Sequence, residues 1–194
     1  QGVLDSIDTA CELRGIVHGW NDYPQGLRFT LIDPTSGINV FSPINNFGYE
    51  VQEGDSVRVR GVVGQFAGLA TIYADTLIYE GSDFPTQEPF LVSEMGEETE
   101  SQVVKLKCVR LIDPSQWTNA FPYFDVAVDY GLGDLTIRID GNTNIWGTDA
   151  PLGTFGVTGI GGQSDGTMPL LDGYTLLPRS LDDLTEGVQA EFTI

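Results

Sequence analysis

Histidine occurs once in this chain of 194 residues, and cysteine and lysine occur twice each. Each scarcity excludes something. A centre built on several histidines cannot form, and a Ser/His/Asp or Cys/His arrangement would have to use His18, which stands beside Gly19-Trp20 and is expected to be a half-exposed turn residue. Cys11 and Cys108 form no C-x-x-C pair and have no histidine nearby, so neither a metal knuckle nor a redox pair is present. No apolar run approaches the ~18 residues that cross a bilayer, which argues against membrane insertion. Basic residues are few as well: 9 against 28 acidic, for a formal charge of −19. That balance repels nucleic acid and anionic lipid, and on this ground nucleic acid is not expected as a partner.

Glycine and proline are abundant, at 24 and 10, and fall between short apolar runs, the punctuation of an all-β chain with many turns. Leu27, Phe29 and Leu31 alternate with Arg28 and Thr30, and Val57, Val59 and Gly61 alternate with Arg58 and Arg60. The pattern occurs twice. Residues 61–65 are matched by 159–163, Cys11 and Trp20 by Cys108 and Trp117, and residues 76–78 by 175–177, at offsets between 97 and 99. Leu13 can also be set against Leu106. The proline-bearing stretch 81–89 separates the copies. The expected architecture is all-β: two tandem OB-like small β-barrels, over residues 1–85 and 86–187, plus a lone C-terminal strand over 188–194.

The loops at one end of each expected barrel carry aromatic residues. Trp20 and Tyr23 in the first copy answer Trp117, Phe121 and Tyr123 in the second, and Phe66 lies in the turn between the last two strands of the first copy. In this barrel type such loops flank the ligand face, so these six residues are candidate ligand or partner contacts. The alternative is that Trp20 and Trp117 plug the barrel ends or the contact between copies. Cys11 and Cys108, set at matching positions in separate barrels, are expected to be buried free thiols, with a bridge between the copies as the alternative. Asp140, Asn142 and Asn144 place oxygen side chains at positions one, three and five of a loop, a weak calcium pattern lacking the glycine and distal glutamate of an EF-hand; a plain turn is the simpler account. Residues 156–162 are glycine-rich, but no helix start or Lys-Ser/Thr follows, so a strand is expected there. Val188, Ala190, Phe192 and Ile194 alternate with polar residues, the pattern of a strand that pairs within the chain or is offered to another subunit.

Residues 11–19, 26–33 and 46–55, with 100–107, 153–163 and 173–179 in the second copy, resemble a β-rich tandem module of large surface proteins exported by the type IX system of Bacteroidota. The resemblance implies a secreted or cell-surface location and brings no catalytic residues with it; such modules accompany adhesive, lamin-tail-like and nuclease domains. Gln1, with no initiator methionine, agrees with a stub left by export and cleavage or with a trimmed chain. The C-terminal sorting domain of that route is not in these residues, as in a fragment or a processed form. The chain is thus expected to be no enzyme and to need no cofactor. It is expected to be an extracellular binding or adhesion module, with identical subunits, another protein or an extracellular glycan as partner. The alternatives are a structural subunit of a fibre joined through 188–194, and an accessory domain that holds substrate for a secreted nuclease or glycosidase.

Overall fold

A computed structural model describes residues 2–186, so the strand expected over 188–194, with Val188, Ala190, Phe192 and Ile194, lies outside the described residues. The architecture is all-β. The first sheet comprises β1 (Ala10–His18), β2 (Leu27–Ile32), β3 (Gly37–Ser42), β4 (Ser56–Phe66) and β5 (Leu69–Gly81). It closes into a barrel in the order β1-β2-β3-β5-β4. All neighbours are antiparallel except β3 and β5, which run parallel with Val40 opposite Ile72. A five-stranded closed barrel of this order is OB-like. The excursion between β3 and β4 contains no helix among its residues.

Alternation decides the interior. Leu27, Phe29 and Leu31 of β2 point inward with Val57 and Val59 of β4, while Arg58 and Arg60 point out and pair with Glu80 and Glu12. The β4–β5 hairpin turns on Ala67 and Gly68, both at positive φ (50° and 92°), as a two-residue turn of this hand requires.

The second sheet comprises β6 (Phe90–Leu91), β7 (Val103–Leu111), β8 (Tyr123–Asp129), β9 (Asp134–Asp140), β10 (Thr154–Gln163), β11 (Tyr174–Leu177) and β12 (Leu184–Glu186). Its order is β12-β10-β11-β9-β8-β7-β6, and β10 pairs additionally with β7. The pairings β7–β8–β9–β11–β10–β7 run in the same sequence as those of the first barrel, and the β9–β11 pair is again the parallel one. The glycine-rich stretch 156–162 is strand, within β10.

Register corrects part of the repeat alignment. The β2 and β3 hairpin matches the β8 and β9 hairpin, and β4 matches β10, at the offsets expected. On β1, however, Leu13 faces Val59 as Leu106 faces Val157, so Leu13 matches Leu106 and Cys11 does not match Cys108. The cause is a bulge in β7. Val109 pairs with Phe155 and Leu106 with Val157, which leaves Lys107 and Cys108 opposite a single residue, with Cys108 at φ 58°. The extra residue shifts the parity, so that Val104 and Leu106 before it and Val109 and Leu111 after it all remain buried. Cys108 is therefore exposed and Cys11 half-buried; both are free, and neither is the buried core thiol expected. At the C-terminal end Thr71-Ile72, not 76–78, corresponds to Thr175-Leu176.

The two sheets are docked on each other. Ile32, Val103 and Ile160 form a small core between them. His18 is fully buried (1% exposed), not a half-exposed turn residue. Its Nδ1–H donates to the Ile16 carbonyl at 2.9 Å, and its Nε2 accepts from the Gln87 N–H at 2.7 Å. Gln87 in turn accepts the Val103 N–H on Oε1 at 2.7 Å, so one linker residue ties β1 to β7. Burial holds the His18 pKa below its ordinary value, as the acceptor role of Nε2 requires. At the far side Arg179 pairs with Glu53 at 2.8 Å.

Candidate functional site

Between the docked sheets lies a cleft of about 600 Å³. One wall is the β1–β2 loop, with β2, β3 and the β4–β5 hairpin behind it; the other is formed by residues 121–123 with β9, β10 and β11. Asn21 knots the first wall. Its Oδ1 accepts from the N–H groups of Tyr23 (3.1 Å) and Arg28 (2.9 Å), and its Nδ2 donates to the Gly26 carbonyl at 3.0 Å. Gly26 has to be glycine, because a Cβ there would meet the Ser42 carbonyl oxygen at 2.0 Å. The knot sets Tyr23 edge-on to Phe41, ring centroids 5.2 Å apart. Replacing Asn21 with Ala is expected to cost about 1 kcal/mol and to speed hydrogen exchange at the Tyr23 and Arg28 amides by roughly tenfold, with the β4 and β10 amides unchanged.

The opposite wall presents Phe121 and Tyr123. Arg138 stacks on the Tyr123 ring, 4.4 Å from its centroid, and makes two bonds of 2.8 Å to Asp125, its cross-strand neighbour. Phe66 on the first wall and Phe121 on the second are 66% and 69% exposed, large apolar surfaces left to solvent on either side of one opening. The hairpin that carries Phe66 touches the other sheet: the Ala67 carbonyl accepts the Asp165 N–H at 2.7 Å.

Five of the six aromatic residues singled out in the sequence therefore meet at this cleft: Trp20, Tyr23, Phe66, Phe121 and Tyr123. Trp117 is not among them. It packs edge-on against Phe124 in the second core, and its Nε1 donates to the Thr148 carbonyl at 2.9 Å. Asp140 and Asn142 are spent on their own loop, and Asn144 on the distant segment at Leu181. Asp140 Oδ1 accepts from the Asn142 N–H and side-chain amide, and Asn144 Oδ1 accepts from the Leu181 N–H. Among the described residues no group of three or more His, Cys, Asp or Glu side chains could hold a metal ion. No helix among them is long and apolar enough to cross a membrane.

Sequence reasoning passed over Arg28, Asp22 and Arg138. Arg28 Nε donates to Asp22 at 2.5 Å; burial pushes the Asp22 pKa up, and that bond offsets part of the rise. The Arg138 pKa is raised, chiefly by its bonds to Asp125. A visible signal existed for Arg138: opposite charges facing each other in a hairpin whose other positions alternate apolar and polar.

No family model matches this chain, and no curated protein does. Solved structures of similar fold exist. The hypothetical protein YgiW from E. coli is 23% identical, with 38% of this chain and 77% of that one covered and a TM-score of 0.31. A murine DNA-binding protein bound with double-stranded DNA is 8% identical, with 94% and 99% covered and a TM-score of 0.44. The Ifi202 HINa domain in complex with 20-bp double-stranded DNA is 9% identical, with 77% and 85% covered and a TM-score of 0.34. The likeness is one of fold, and what these proteins bind is their own property. The exclusion of nucleic acid drawn from the acidic balance does not stand: two of these structures hold double-stranded DNA, and the charge argument fails on its own ground. Net charge describes a whole chain and not one of its faces.

Proposed function

We propose that the chain is a non-catalytic extracellular binding module made of two OB-like units, residues 1–85 and 86–187, that holds its ligand in the cleft between them. The observation that carries this reading is the convergence of exposed aromatic side chains from both halves on one cleft of about 600 Å³. That size lies within the range of small-molecule sites, and aromatic walls with a few fixed polar groups are their usual lining. The second OB-like unit is supported by the matching cyclic order of its strand pairings. The location outside the cell and the kinship with surface modules of Bacteroidota rest on the segments compared above, residues 11–19 and 153–163 among them.

The test is ligand-observed NMR with a set of neutral ring fragments carrying fluorine, on the full chain and on Trp20→Ala and Phe121→Ala. Both variants are expected to melt within a few degrees of the parent and to weaken cleft binders by about tenfold, as loss of one aromatic contact implies. Fragment binding that both substitutions leave untouched would show that the site lies elsewhere.

A further inference from the structure

We infer that the ligand of this cleft is a neutral oligosaccharide segment. The inference rests on the cleft being the binding site and specifies what enters it. Its first ground is charge. The two guanidinium groups that line the cleft are already neutralised in place, Arg28 by Asp22 at 2.5 Å and Arg138 by Asp125 through two bonds of 2.8 Å. Both lysines lie on β7 and line no part of it. An anionic group entering here would find its cations engaged and would face the carboxylates of Asp22 and Asp140. A cationic group would find those carboxylates committed to Arg28 and to the Asn142 amides.

The second ground is the kind of polar group left over. Exposed along the cleft are the amide of Gln25, the side-chain oxygen of Asn142, whose nitrogen is engaged by Asp140, and the hydroxyl of Ser164. Two further polar atoms of its lining residues, the Trp20 Nε1 donor and the Gln163 Oε1 acceptor, are buried without a hydrogen-bond partner, and Gln163 as a whole is 94% buried by its 6% exposure. Each carries a desolvation cost, and because both atoms are closed to solvent a ligand hydroxyl would reach them only once those side chains turn toward the cleft. The third ground is shape. Trp20, Tyr23 and Phe66 on one side and Phe121 and Tyr123 on the other offer flat apolar faces, which suit the C–H faces of sugar rings, while the amides between them suit the equatorial hydroxyls. Neutral charge, abundant hydroxyls and flat apolar faces occur together in uncharged pyranose chains.

The experiment titrates the full chain, labelled with ¹⁵N, with gluco-, xylo-, manno- and N-acetylchito-oligosaccharides, with an oligogalacturonate, with a single-stranded oligonucleotide and with a 20-bp DNA duplex. The indole N–H signal of Trp20 is followed in the parent, and the amides of Tyr123 and Gln163 in both the parent and Trp20→Ala. At least one neutral oligosaccharide is expected to shift these signals, to bind about tenfold more weakly to Trp20→Ala, and to keep its affinity within roughly twofold between low and high salt, as an interaction without ion pairing should. If the same signals respond only to the oligogalacturonate or to DNA, with steep salt dependence, the inference fails while the cleft stands as the binding site. If no carbohydrate moves them but neutral ring fragments still do, the inference fails in the same way. If nothing moves them and Trp20→Ala changes no binding, the cleft reading falls with it.

Discussion

Replacing Gly37 with Val is expected to push the two sheets apart and to cost about 3 kcal/mol, at the top of the range for an overfilled site. Gly37 opens β3, where an added Cβ would stand 1.8 Å from the Ser101 carbonyl oxygen. That oxygen belongs to backbone and cannot turn aside as a side chain would. The segment around Ser101 is clamped from its other side by β10: the Ser101 N–H donates to the Gly161 carbonyl at 2.8 Å, and the Gly161 N–H donates to the Gln102 carbonyl at 2.9 Å. Gly161 is itself a point of close approach, since a Cβ there would come within 1.9 Å of the Thr99 carbonyl oxygen. Residues 99–102 are thus held between two glycines, one from each sheet, and there is no slack to absorb an isopropyl group. The interiors of the sheets lie elsewhere, around Leu27 and Val57 in one and Leu106 and Ile137 in the other. The variant is therefore expected to keep its β-sheet circular dichroism, to show a larger radius of gyration by X-ray scattering, and to lose cleft binding. Gly96→Val is the control, because nothing lies within 4 Å of its added Cβ. A Gly37→Val protein with parental scattering and melting temperature would show that the docked arrangement does not depend on this seam.

How much of this was legible beforehand follows from the range of the forces involved. Strand interiors are set by alternation, a property of neighbours in sequence, and β2, β4, β8 and β9 carry it plainly. The bulge at Lys107 and Cys108 left the Leu13–Leu106 match, which the sequence offered and the register bears out, in competition with Cys11–Cys108, because one inserted residue moves every later side chain to the other face and an ungapped comparison cannot register it. Matched tryptophans proved to have different surroundings for a related reason. The β1–β2 connection spans residues 19–26 and keeps Trp20 at the cleft, whereas the longer β7–β8 connection, residues 112–122, folds Trp117 back onto Phe124. His18 was misjudged because its burial comes from Gln87, 69 residues away in sequence, and from the docking of a second sheet. The cleft is subject to the same limit: the sequence marks its aromatic residues one by one, but that five of them face a common space follows only from how the sheets meet.

Raising the pH from 5 to 8 is expected to weaken that meeting, and Glu100→Gln is expected to remove the effect. Glu100 lies in the clamped segment, bridged to Gly161, with one carboxyl oxygen buried and unpartnered. Burial, with a smaller push from the Glu97 charge, lifts its pKa to about 7 from an ordinary 4.5; an N–H bond from Ala70 of the first barrel opposes the shift. Because the folded state holds the proton more tightly than the unfolded chain, the stability this group contributes is complete below pH 4.5 and is lost as the pH rises through 7. The loss should amount to ~1–2 kcal/mol, allowing for solvent screening of a half-buried carboxyl. His18 works in the opposite sense. Its pKa is held below 6.5 by burial, so the folded state binds fewer protons than the unfolded chain, and stability falls as the pH drops below 6.5. Protonation would also turn Nε2 from acceptor into donor opposite the Gln87 N–H and break the tie between β1 and β7. The comparison that isolates Glu100 is the difference in denaturation midpoint between Glu100→Gln and the parent, since the general repulsion of a chain of formal charge −19 is nearly the same in both. That difference should be close to zero at pH 4.5, favour the variant increasingly up to pH 8, and stay unchanged when His18 is replaced by Gln. A difference independent of pH would mean that Glu100 is ionised in the fold at an ordinary pKa, and the alkaline loosening of the seam would need another source.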